Sequence, residues 1–214
     1  MNQPNIPGTV LGIDLYHQDS VASFHNLYAS GVRVAGLKLG EGGALDPKFN
    51  EYALRCQEAN IIPFAYWFVR PDVHVATQSA LISGNLPQGM ALALDLEPSL
   101  ENSKDSNSDR WQNISQLKRQ SWLSGLVGSF KVTRSEHPIL YVTADFWANV
   151  FGAPDGYQTC PWWAPRYNAS EPEQAKNLYP WEGWQFTDSG SINGLNGANN
   201  ADLSLWRRDF WGIK

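Results

Sequence analysis

MALALDLEP, residues 90–98, is the stretch on which the reading of this chain turns. As a β-strand its side chains point to opposite faces in turn, so Leu92, Leu94 and Leu96 share one face. Ala91, Ala93, Asp95 and Glu97 share the other. Pro98 has no N–H to donate and helps end the strand. Asp95 and Glu97 then project side by side at a strand's C-terminal end, their Cα atoms roughly 6–7 Å apart. Two carboxyl groups at about that separation are the equipment of glycoside hydrolysis. A D-x-E met alone reads first as a strand end with two solvated acids, so the residues around it have to decide.

On either side, short apolar runs alternate with helical patterns. Strands are predicted over 9–17 (TVLGIDLYH), 32–42, 61–68 and 137–143. Helices are predicted over 20–31 with Ser20 as N-cap, 46–60 opening at Asp46, 73–84, about 110–130 and 145–152. ENSKDSNSD (101–109) reads as a polar loop. Strands alternating with helices imply parallel βαβ units, in a β/α barrel or a doubly wound sheet. The first strand is not followed by G-x-G-x-x-G, which weakens a dinucleotide-binding reading. After residue 152 the pattern changes: 160–168, 181–190 and 201–206 look like strands without full helices between them. The expected fold is an α/β, irregular TIM-like barrel with a helix-poor C-terminal third, spanning 1–214 as one catalytic domain with no separate binding module.

Composition narrows the function. The 214 residues are 43% hydrophobic and 17% charged, ordinary for a folded soluble protein. A net charge of −5 gives no electrostatic reason to bind nucleic acid. No stretch approaches the roughly 18–20 apolar residues of a membrane span. The N-terminus, MNQPNIPGTV, lacks the basic and apolar regions of a signal peptide. Cys56 and Cys160 have no metal-ligand spacing and read as two free thiols, and His17, His25, His74 and His137 form no metal signature. No metal and no cofactor is expected. Ten tryptophans stand out. Trp162, Trp163, Trp181, Trp184, Trp206 and Trp211 crowd the C-terminal third, and at least two of them are expected to stack on sugar.

Other strand ends are polar as well: Asp14 on the first, Lys38 and Glu41 on the second, Tyr66 on the third, with Gln185 and Asp202 near the C-terminus. Acids converging on the C-terminal face of a barrel repel one another, which raises at least one pKa and keeps a carboxyl group protonated near neutral pH. In order, GIDLYHQ, LKLGEG with DPKF, PFAYWF, ALDLEP, LYVT, WWAPRY, GWQFTDSG and ADLSLW resemble glycoside hydrolase family 25, the bacterial and phage N-acetylmuramidases. The resemblance runs from about residue 9 to 206, and it is the ordered set that is specific.

That resemblance implies a barrel of about eight strands and five helices. It implies cleavage of the β-1,4 bond between N-acetylmuramic acid and N-acetylglucosamine in peptidoglycan. Glu97 would be the general acid and Asp95 would assist the anomeric centre, in a substrate-assisted retaining route. Asp14 and Asp202 would line the groove and tune its charge, and Tyr66, Trp163, Tyr167 and Gln185 would shape the sugar site. The chain departs from the family pattern at Trp67, where histidine is common, at Ser204, where asparagine is usual, and in K-L-G-E-G.

Several residues keep a plainer reading. Glu41 pairs with Lys38, Asp46 caps a helix, Asp188 lies in a turn, and His17 is either a groove contact or an ordinary loop residue. Two rival functions stay open: a non-catalytic glycan-binding or virion structural protein, and a barrel glycosidase acting on another N-acetylated polymer such as chitin. The expected partner is the peptidoglycan glycan strand, met by a monomer with no membrane insertion. The protein would be made in the cytoplasm and reach the wall through a lysis or secretion system, as a phage endolysin or a delivered toxin would.

Overall fold

The computed structural model describes residues 3–101, 105, 108–134, 136–167, 170–196 and 201–214. Its strands are β1 (Thr9–Leu15), β2 (Val32–Glu41), β3 (Ala44–Leu45), β4 (Ile62–Phe68), β5 (Leu92–Asp95), β6 (Ile139–Tyr141), β7 (Trp162–Pro165), β8 (Trp181–Gly190) and β9 (Ala201–Arg207). Its helices are α1 (Phe24–Ala29), α2 (Phe49–Glu58), α3 (Val75–Asn85), α4 (Gln116–Arg134) and α5 (Ala144–Phe146), the last running on into a wide π-type turn over Trp147–Phe151.

Eight strands close into a ring in the order β1-β2-β4-β5-β6-β7-β8-β9, and the short β3 is hairpinned onto the end of β2. Neighbours from β1 round to β8 are parallel. β9 is antiparallel to both β8 and β1. That reversal follows from the helix-poor end of the chain. A parallel return to the ring needs a crossover of a dozen or more residues, whereas only residues 191–200 separate β8 from β9, which runs back down beside it.

Side-chain alternation divides the core in two. One set of odd-and-even partners, including Leu92, Leu94 and Leu96, faces outward and packs against the helices. The other faces the lumen: Val10, Val34, Phe64, Ala93, Ile139, Tyr141, Trp163 and Trp206. The lower lumen is filled by rings, with Phe64 at 5.1 Å from Trp206 and 5.4 Å from Trp163 between centroids. Phe210 and Trp211 close it from beneath. Glycines make room for Trp206: a Cβ on Gly12 would lie 2.6 Å from its ring, and one on Gly183 2.7 Å.

Three expectations change at helix starts. α1 is capped by Ser23, whose Oγ accepts from Asn26 N at 3.2 Å; Ser20 instead meets Asn196. Asp46 does not cap α2. Its Oδ1 accepts from Lys48 N, and its Oδ2 accepts from His17 N at 3.1 Å and pairs with His17 Nδ1 at 2.8 Å, so it staples the β1 exit to the α2 approach. α4 begins at Gln116 rather than near Arg110, because the preceding residues are spent on the β5 exit. Trp111 Nε1 donates to Glu97 O, Asp109 Oδ1 accepts from Ser99 N, and Arg110 donates to the carbonyls of Ser99 and Leu100. Of the expected polar loop, residues 102–104 and 106–107 lie outside the described residues. Cys56 and Cys160 are free and buried.

Candidate active site

Most lumen-facing columns of residues turn from apolar to polar as they climb. β1 presents Val10, Gly12 and Asp14; β2 presents Val34, Gly36 and Lys38; β4 presents Phe64, Tyr66 and Phe68. Ala93 is followed by Asp95, Ile139 by Tyr141, and Gly183 by Gln185. On β9, which descends, Asp202 and Ser204 precede Trp206. The upper lumen is therefore a cavity of about 260 Å³ floored by aromatic rings. A larger hollow of about 600 Å³ lies at the other end of the barrel, beside Met90 and Arg134, and holds no comparable acid cluster.

All eight residues singled out from the sequence line this one cavity: Asp14, Asp95, Glu97, Asp202, Tyr66, Trp163, Tyr167 and Gln185. Tyr16, Lys38, Phe68, Tyr141 and Asp188 line it too. Tyr141 was legible as the lumen-facing residue of LYVT, two positions above Ile139. Asp188 is a correction. β8 continues to Gly190, which pairs with Ala201, so Asp188 belongs to the strand and the turn comes later. The tryptophans are a second correction. Trp163 alone of the six lines the cavity; Trp162, Trp181 and Trp184 pack outside the barrel, and Trp206 and Trp211 fill the lumen below. Trp67 is fully buried on the outer face, its Nε1 donating to Gln78 Oε1 at 2.9 Å, so that departure never touches the site. Ser204 accepts from Trp163 Nε1 at 3.0 Å and fixes that ring.

Gln185 is the hub of the polar wall. Its Oε1 accepts from Tyr141 and Tyr167, each at 2.7 Å, and its Nε2 donates to Asp14 Oδ2 at 3.1 Å. Asp14 and Asp202 stand directly opposite on β1 and β9, where side chains of facing residues touch. Lys38 Nζ donates to Glu41 Oε2 at 2.8 Å, the expected pair, and Glu41 also meets Arg70 at 3.3 Å. His17 sits outside the cavity, held on Asp46.

Burial is the main force on the acids. It lifts the Glu97 carboxyl from 4.5 to about 7, with the charge of Asp202 adding and Lys38 opposing. Asp95 is raised well above the ordinary range by burial and then by the charge of Glu97. Asp14 is raised by burial, then by the charge of Asp202 and a hydrogen bond to it, against the pull of Gln185. Burial moves Asp202 from 3.8 to about 6. Asp95 Oδ1 is buried with no hydrogen-bond partner. Burial over an apolar floor thus raises all four acids above the ordinary carboxylate range, with Glu97 brought to about 7. Glu97 can give up a proton or take one back at physiological pH, the behaviour a general acid and base requires. Among the described residues no group of His, Cys, Asp and Glu is arranged to hold a metal ion.

Residues 13–195 match the family model for glycosyl hydrolases family 25. Among solved structures, a bacterial lysozyme from Streptomyces coelicolor superimposes with a TM-score of 0.83 at 21% identity, over 94% of this chain and 93% of its own. A family GH25 lysozyme from Aspergillus fumigatus gives 0.77 at 25% identity, over 92% and 93%. The modular autolysin LytC from Streptococcus pneumoniae, solved in complex with a synthetic peptidoglycan ligand, gives 0.76 at 15% identity, over 95% of this chain and 48% of its own. No curated protein sequence matches this chain.

Proposed function

Because this chain belongs to glycosyl hydrolase family 25 and is a glycosidase, we propose that it is a lysozyme that cuts the glycan strands of peptidoglycan. The bond is the β-1,4 link from N-acetylmuramic acid to N-acetylglucosamine. Glu97 is the general acid. The observation that carries this reading is a carboxyl group held near pH 7 by burial, beside a second buried acid, at the open end of a barrel.

Glu97 protonates the leaving glycosidic oxygen as the bond to C1 breaks. The carbonyl oxygen of the substrate's 2-acetamido group closes on C1, and Asp95 accepts a hydrogen bond from the acetamido N–H and steadies the positive charge that develops there. The unpartnered Asp95 Oδ1 supports that role. Water then attacks C1, giving a proton to the Glu97 carboxylate, and the acetamido group is restored with the anomeric configuration retained. Substrate assistance of this kind replaces the nucleophilic carboxylate of the two-acid scheme. Asp14 and Asp202 keep the cavity acidic, and Tyr66, Tyr141, Trp163 and Tyr167 supply ring faces and hydroxyls for a sugar.

The test is muropeptide release from purified peptidoglycan by wild type and by Glu97→Gln. Fragments with reducing N-acetylmuramic acid ends from wild type, and none from a folded Glu97→Gln, support the reading. Binding without cleavage by wild type overturns it in favour of a glycan-binding protein. Proton NMR of the first product reports the anomer, and an inverted one rejects the acetamido route.

A further inference from the structure

Ring closure pairs every strand of the barrel on both sides, which removes open edges. Among the described strands β3 alone has a neighbour on one side only. Ala44 and Leu45 on it are exposed, Leu45 to 44%. Beside it lies a hollow of about 360 Å³, walled by Ala44, Leu45, Pro47 and Val73 and reaching Arg70. Lys38 lines both this hollow and the acidic cavity, so the two adjoin at that residue.

The walls say what fits. Sugar rings stack on aromatic faces, and the catalytic cavity has six such residues, whereas the hollow has no phenylalanine, tyrosine or tryptophan. Ala44, Leu45, Pro47 and Val73 give it a small and aliphatic side, Gly40 and Gly43 add no side chain, and His17, Lys38, Glu41, Asp46 and Arg70 make the rest polar. An open strand edge next to aliphatic walls is how extended peptides are recognised, by main-chain hydrogen bonds with small pockets for alternate side chains. At the inner end Lys38 spends one of its three N–H groups on Glu41, which leaves it able to meet a carboxylate.

We propose that the hollow beside β3 is a peptide subsite, which takes the short alanine-containing, carboxylate-bearing peptide carried by a muramic acid ring seated in the cavity. The proposal rests on the lysozyme reading above and adds a specificity to it: strands bearing peptides are preferred over bare ones.

The experiment compares peptide-bearing glycan strands with strands stripped by an amidase, using wild type and Leu45→Asp. Leu45 is exposed and outside the catalytic cavity, so the variant folds. Wild type is expected to cleave peptide-bearing strands with about 10-fold higher kcat/KM. Leu45→Asp is expected to lose most of that preference through KM and to cleave stripped strands as wild type does. In parallel, N-acetylmuramyl dipeptide is titrated into wild type, and the Ala44 and Leu45 amide resonances are expected to shift. Equal cleavage of both strands by wild type, with both amides unmoved, overturns the peptide subsite and leaves the lysozyme reading standing. If neither strand is cut while the dipeptide still shifts Ala44 and Leu45, the lysozyme reading falls and the peptide subsite stands.

Discussion

The two ends of the barrel lumen are built from the same eight strands and differ only in which residue each contributes. Below, Phe64, Trp163 and Trp206 fill the space with ring against ring, closed off by Trp211. Above, nearer the upper rim of the same barrel, Asp14, Asp95, Gln185 and Asp202 leave a cavity. The packed end creates the chemistry of the open one. A floor of aromatic carbon offers no solvation to a carboxylate, so each acid over it prefers to keep its proton.

The comparison breaks most sharply at Glu97. Glu97→Gln keeps the shape of the upper lumen and removes the exchangeable proton, and turnover on peptidoglycan is expected to fall about 10²–10⁴-fold with the circular dichroism spectrum unchanged. Retention of a tenth of the activity would reject Glu97 as the acid. At the packed end, Trp206→Ala empties the centre of the ring cluster and is expected to cost about 3–5 kcal/mol, read as a lowered midpoint in urea.

Between these lies a pH effect that couples the two ends. The folded chain takes up a proton at Glu97 that the unfolded chain has released between pH 4.5 and about 7. The stability this gives is complete below pH 4.5 and is lost as pH rises through 7. Unfolding at pH 5 and pH 8 should differ by on the order of 1–3 kcal/mol, in favour of pH 5, and Glu97→Gln should narrow that gap. A gap that does not narrow would place the uptake on Asp14, Asp95 and Asp202 alone. The smallest effect is expected from Ser204→Ala, which leaves the Trp163 N–H without its acceptor at a cost of roughly 1 kcal/mol, measured as a shift in thermal midpoint.

Much of this arrangement is legible in the sequence. The period-2 pattern of MALALDLEP assigns Leu94 to the outer core and Asp95 to the lumen, and the same alternation places Asp14 and Tyr66. Change of periodicity after residue 152 marks the helix-poor closure. What the sequence hides is pairing across the fold. Asp14 facing Asp202 depends on β9 running antiparallel to β1, and neither strand carries a sign of its partner. The tryptophans mislead because aromatic content does not say which way a side chain points: Trp162 and Trp163 are adjacent, yet one packs outside the barrel and the other lines the cavity. Ser20 and Asp46 look like helix caps by type, but Asn196 and His17 compete for them from far along the chain or across the loop.

The reversal of β9 carries a consequence for engineering. Thr9 at the start of β1 is paired with Arg207 at the end of β9, and Arg208 N donates to Gly8 O at 2.9 Å. Both ends of the barrel segment therefore leave from its underside, away from the acids. A cargo domain tethered at either point hangs below the ring with the substrate mouth unobstructed. A linker of a few residues between them would also allow circular permutation, with new termini cut into any loop on the lower rim.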